Sequence, residues 1–138
     1  MNIICPNNPP ISDGSNLSPS ARQLYQWIEL YTAQNGLEQP KILSICRSKA
    51  HQKQLQDDWD AGKREGLRVR PADNSYHIPD KFGLCHAFDL ANSDKWLRMV
   101  GSAVVQNVPG ARWGGTWIPQ DLPHFDMPPG VMFTIRLV

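Results

Sequence analysis

Residues 75–90 read SYHIPDKFGLCHAFDL. The last seven, LCHAFDL, form a short apolar run with one aspartate inside it, which is the pattern of a buried strand. Side chains alternate between the faces of a strand, so Ala87 and Asp89 share one face, and His86 and Phe88 the other. A carboxylate buried in such a strand is costly unless it is paired or binds a metal. Parity turns His86 away from Asp89. His77 lies ahead of a segment holding Pro79 and Gly83, on a loop that can fold back over the strand. It is therefore the better geometric partner for Asp89.

On both sides of this stretch the pattern mixes helices and strands. Ser18 and Pro19 open a helix whose Leu24, Ile28 and Tyr31 share a face, and Gly36 stops it. KILSIC (41–46) is expected to be a buried strand. Ser48 caps a second helix that ends near Gly62, and residues 63–76 are charged and turn-like. A third helix over 92–108, capped by Asn92 or Ser93, presents Trp96, Val100, Ala103 and Val104 inward and ends at Pro109 and Gly110. ARWGGTW (111–117), LPHFDM (122–127) and VMFTIRLV (131–138) read as strand segments, and residues 1–17 as an irregular arm. No regular βαβ repeat appears. The expectation is one domain over 1–138 of α+β class, a small antiparallel sheet packed with about three helices.

Composition narrows the function classes. Fourteen basic against 13 acidic side chains, a net charge of +1, leave no basic stripe for nucleic acid. No apolar segment has the length to span a bilayer. The first residues lack a basic n-region and an apolar h-region, so synthesis in the cytoplasm without a signal peptide is expected. The three cysteines, Cys5, Cys46 and Cys85, are odd in number and form no C-x-x-C. They are expected to be reduced and to pack as small hydrophobes.

A second chemical element is DLPHFDM (121–127). Asp121 and His124 fall on opposite faces of an extended segment, but a turn before Pro123 brings both to one spot. Two histidines and one aspartate as ligands leave a fourth zinc position open, as a catalytic site requires. Zinc would acidify water, and a nearby carboxylate would take its proton. Arg47, at the end of KILSIC, keeps its charge and must face water or an anion, such as a substrate carbonyl or a developing oxyanion.

SYH, GLCHAFDL and RWGGTWIPQDLPHFD, in this order, resemble the zinc peptidases of the D-Ala-D-Ala dipeptidase and carboxypeptidase type, most closely their phage endolysin branch, the L-alanyl-D-glutamate peptidases. Upstream, RSKAHQ matches the family's Arg-Ser followed by Gln. The resemblance implies a hedgehog/DD-peptidase-like fold and one Zn2+ ion held by His77, Asp89 and His124. It makes Asp121 the general base and Arg47 the stabiliser of the transition state, with Ser75 supporting the site. Trp113 and Trp117 read most simply as core or rim aromatics, and functionally as walls of a groove for a stem peptide. The implied substrate is a bacterial peptidoglycan stem peptide, cut at the L-Ala–D-Glu bond by a monomer released onto the wall through a phage holin-type pore. A D-Ala-D-Ala carboxypeptidase or dipeptidase and a non-catalytic zinc-containing binding domain are the alternatives. Two features depart from the family pattern. The His77-to-Asp89 spacing is longer, with IPDK in the excess, and Thr116 stands where an aspartate usually follows Trp-Gly-Gly.

Overall fold

A computed structural model describes residues 16–130. Most of the expected N-terminal arm, Cys5 and the closing strand expected at 131–138 lie outside the described residues. The elements in chain order are α1 (Pro19–Gln34), β1 (Ile42–Ser44), α2 (Lys49–Asp60), β2 (Ala87–Leu90), α3 (Asp94–Asn107), β3 (Arg112–Trp113) and β4 (His124–Asp126), with a 3-10 turn at Gly114–Thr116. The strands form one antiparallel sheet in the order β1-β2-β4-β3. The fold is α+β.

Each helix begins at a serine cap. The Oγ atoms of Ser18, Ser48 and Ser93 accept hydrogen bonds from the amides of Ala21, His51 and Trp96, satisfying one of the orphan amides of each first turn. Asn92 does other work. Its side chain accepts from the Lys41 amide at 2.9 Å and donates to the Gln39 carbonyl at 3.0 Å, tying the segment before β1 to the end of β2.

The strands are shorter than the sequence predicts. β1 has three residues, and its register against β2 shifts between Ile42 and Ser44. Cys85 pairs with Leu17 in an isolated bridge, so β2 begins at Ala87. After Trp113 the backbone tightens into the 3-10 turn and leaves the sheet.

Cross-strand partners share a face, and the pairing divides the sheet's residues sharply. Phe88 lies opposite Phe125, and Trp113 opposite Phe125. These rings and Leu90 are buried in the core with Leu24 and Ile28 of α1 and Leu97, Val100 and Val104 of α3. Phe88 stacks on Phe125 at 5.7 Å and meets Tyr25 edge-on at 5.5 Å. Burying each such ring contributes about 1.5–3 kcal/mol. The other face carries Asp89 opposite His124, Ala87 opposite Asp126, and Arg112 opposite Asp126.

Cys46 and Cys85 form a disulfide, with Cα atoms 5.8 Å apart. This corrects the expectation of reduced cysteines. An odd count hid a pair, because the end of β1 and the approach to β2 are spatial neighbours within disulfide reach.

Candidate metal centre

His77, Asp89 and His124 converge on the polar face, each offering one ligand atom, and the three atoms lie within 4.8 Å of one another. All three residues are buried. Asp89 and His124 are direct cross-strand partners, so the sheet register sets two of the three. His77 arrives on the loop before β2. Its amide donates to Ser75 Oγ at 3.1 Å, and its carbonyl accepts from the Arg47 amide at 2.7 Å.

The outer nitrogen of each imidazole is engaged. His77 Nδ1 faces the Ile45 carbonyl, and His124 Nε2 meets Asp126 Oδ2 at 2.6 Å. A carbonyl accepts only, so Nδ1 carries the hydrogen and, in the neutral ring, His77 Nε2 is a bare lone pair. That lone pair lies 3.1 Å from Asp89 Oδ1 and 3.2 Å from His124 Nδ1. His124 Nδ1 is itself 3.5 Å from Asp89 Oδ1. Three acceptors facing one another in a buried site call for a cation among them, a metal ion or a proton. Nitrogen, nitrogen and carboxylate oxygen, with the histidines oriented by a carbonyl and a carboxylate, is a donor set suited to a divalent metal. This group can hold a metal ion.

The protonation equilibria follow from the same geometry. Burial opposes a charge on His124, but Asp126 and Asp89 outweigh it and lift its pKa to about 9. Burial likewise opposes the Asp89 carboxylate, and His77 and His124 hold it well below the usual range. Asp126 is lowered despite burial by His124 and Arg112. Asp121 moves the other way. Burial first, and then the Asp89 charge, raise it above an ordinary carboxylate.

Asp121 is set beside the centre by a turn in which the His124 amide donates to the Asp121 carbonyl at 3.1 Å. The Trp-Gly-Gly element locks that turn. Gly114 carbonyl accepts from the Asp121 amide at 2.8 Å, and a Cβ on Gly114 would sit 2.1 Å from the Asp121 carbonyl oxygen. Gly115 and Gly101 leave the space that the Trp113 indole fills. Trp113 is buried and donates to the Leu122 carbonyl at 2.8 Å. It supports the turn from the core, so of its two readings the core one holds and the groove wall does not. Trp117 does line the groove, its ring 4.8 Å from His124.

Arg47 faces Asp89, with Nη2 3.1 Å from Oδ2 and Nη1 3.4 Å from Gln52 Oε1. Asp89 is thus divided, one oxygen toward the histidines and the other toward the guanidinium.

His86 lies outside the cluster. Its Nε2 is 2.9 Å from Asp80 Oδ2, and its amide donates to the Tyr76 carbonyl at 2.9 Å. Asp80 closes the intervening loop on itself. Its Oδ1 accepts from the amides of Phe82 and Leu84, and its amide donates to the Leu84 carbonyl. Part of the segment between His77 and Asp89 thus folds into a closed tip.

Sequence reasoning missed Asp126, Arg112, Asp80 and the Ile45 carbonyl. Asp126 carried a signal, since it follows His124 by two and shares its face in a strand. The centre lies in a groove of about 930 Å³, also lined by Tyr76, Arg68, Arg112, Trp117 and Ile118. Among the described residues no helix is long and apolar enough to cross a membrane. Comparison with protein-family models, curated proteins and solved structures finds no match to this chain.

Proposed function

We propose that this protein is a zinc-dependent peptidase that hydrolyses a peptidoglycan stem-peptide bond, with L-Ala–D-Glu favoured. The observation that carries the reading is the convergence of His77, Asp89 and His124 at 4.8 Å or less, with the carboxylate of Asp121 beside it in an open groove. The motif order that resembles the zinc peptidases supports it further. Zinc, held by His77, Asp89 and His124, would supply Lewis acidity and acidify the attacking water.

The chain's own groups do the rest. Asp121 takes the proton of the attacking water and later delivers it to the leaving amine. Burial raises its pKa in the metal-free fold, which favours the protonated form needed in the second half of that cycle. Arg47 fixes the Asp89 carboxylate through Oδ2, and its remaining N–H groups are available to the oxyanion that develops on the scissile carbonyl. Ser75 holds the amide of His77. Trp117 covers His124 and limits water on that side.

The test uses purified cell walls and the zinc-loaded protein. Wild type releases new amino groups, and Asp121→Ala loses that activity by roughly 10²–10⁴-fold while keeping its metal. Equal, zero release by both proteins rejects the enzyme. Mass spectrometry of the new N-terminal residue separates L-Ala–D-Glu cleavage from D-Ala release.

A further inference from the structure

Arg112 has two edges with different surroundings. On one, Nε and Nη2 donate to Asp126 Oδ1 and Oδ2 at 2.7 and 2.8 Å. Asp126 in turn meets His124 Nε2 at 2.6 Å. The other edge, carrying Nη1, has no hydrogen-bond partner among the described residues, and Arg112 is one of the residues that line the groove. Half of the side chain is exposed. The guanidinium lies 5.2 Å from the Tyr76 ring centre and 5.9 Å from that of Trp117, so the cation sits against two aromatic rings. The other groove arginines are directed elsewhere. Arg47 faces Asp89 and Gln52, and Arg68 and Arg70 pair with Asp94 and Asp60 at the rim.

The position fits a definite chemistry. Two hydrogen bonds, the Asp126 carboxylate between them and one imidazole ring link the guanidinium to the His124 nitrogen that faces the metal position. In a stem peptide the D-Glu residue is joined onward through its γ-carboxyl, so its α-carboxylate is free on the carbon that bears the scissile nitrogen. A planar guanidinium with a free N–H edge is the group that recognises such a carboxylate.

We propose that the free edge of Arg112 binds the α-carboxylate of the residue on the leaving side of the scissile bond. The protein then prefers stem peptides with unamidated D-Glu over those with D-isoglutamine. This specificity rests on the peptidase reading above.

The experiment compares two synthetic peptides, L-Ala-γ-D-Glu-L-Lys and its α-carboxamide, with zinc-loaded protein. Wild type should cleave the carboxylate form with kcat/KM about 10- to 100-fold higher, mostly through KM, the usual worth of a charge-assisted hydrogen bond. Arg112→Gln should bring the ratio near one. Arg112→Lys, which keeps a cation but not the fork, should lower it severalfold and serves if the glutamine variant does not fold. Asp126→Asn, which weakens both the Arg112 pair and the His124 link, should slow both peptides and lower the ratio. Equal cleavage of the two peptides by wild type, or an unchanged ratio in both Arg112 variants, overturns the carboxylate site alone. No cleavage of either peptide by wild type overturns the peptidase reading along with it.

Discussion

His124 and Asp126, two residues apart on β4, are joined through Nε2 and Oδ2 at 2.6 Å. The bond fixes the imidazole so that Nδ1 points at His77 and Asp89. Asp126→Ala removes that orientation and leaves the buried side of Arg112 unpaired. Metal affinity should fall about 10- to 100-fold, as for other carboxylates that back a metal-binding histidine. Competition with a coloured chelator measures this. Unchanged affinity would mean that packing alone holds the ring.

The two candidate histidines of the 75–90 stretch separate cleanly by substitution. His77→Ala removes one ligand atom of the cluster and should abolish stoichiometric metal binding. His86→Ala breaks only the link to Asp80 and should keep the metal, at a stability cost of about 1 kcal/mol. Metal content by mass spectrometry and denaturant unfolding of both variants check this, and retention of metal by His77→Ala is the outcome that defeats it.

Proton and metal compete for one place. His124 in the metal-free fold titrates at about 9, against about 6.5 in an unfolded chain. A raised folded pKa gives stability that is fully present below pH 6.5 and lost as pH rises through 9. Chelator-treated protein should therefore weaken across that window in denaturant titrations. Metal-loaded protein should not, and metal uptake at pH 7 should release a proton.

Gly114→Ala places a methyl carbon against the carbonyl of Asp121. The turn must open, at a cost of at least about 2 kcal/mol. Activity should drop with metal binding intact, because Asp121 moves while the sheet pair Asp89–His124 does not. Equal stability of variant and parent in urea would show that the turn yields freely.

The Cys46–Cys85 disulfide spans 39 residues. Cys46→Ser with Cys85→Ser should cost about 3–4 kcal/mol through the freed chain entropy. Because Ile45 and Arg47 flank Cys46 and contact His77 and Asp89, metal affinity should fall as well. Thermal melts with and without metal, in oxidised and reduced protein, test both effects.

How much of this was legible in the sequence depends on whether the cause is local. The serine caps, the inward stripe of α3 and the parity that separates Asp89 from His86 are one-dimensional patterns, and the residues behave accordingly. The pairing of Cys46 with Cys85 and the meeting of His77 with the Ile45 carbonyl depend on which strands lie side by side. Nothing within a few residues of either position encodes that. Arg112 shows the intermediate case. Its cross-strand neighbour follows from the register of β3 and β4, which a two-residue strand does not announce. Trp113 was open to two readings, core aromatic or groove wall, and Gly101 and Gly115 make room for it inside.

The Asp80-closed tip bears on how this chain tolerates change. The hydrogen bonds of Asp80 begin and end within residues 80–86, while His77 is held independently by Ser75 and Ile45. Lys81 and Phe82 stand exposed at the apex. Length is thereby decoupled from ligand placement, and the apex becomes a natural graft point. A short epitope or a wall-targeting peptide spliced between Lys81 and Phe82 gives the protein a new address and leaves its chemistry alone.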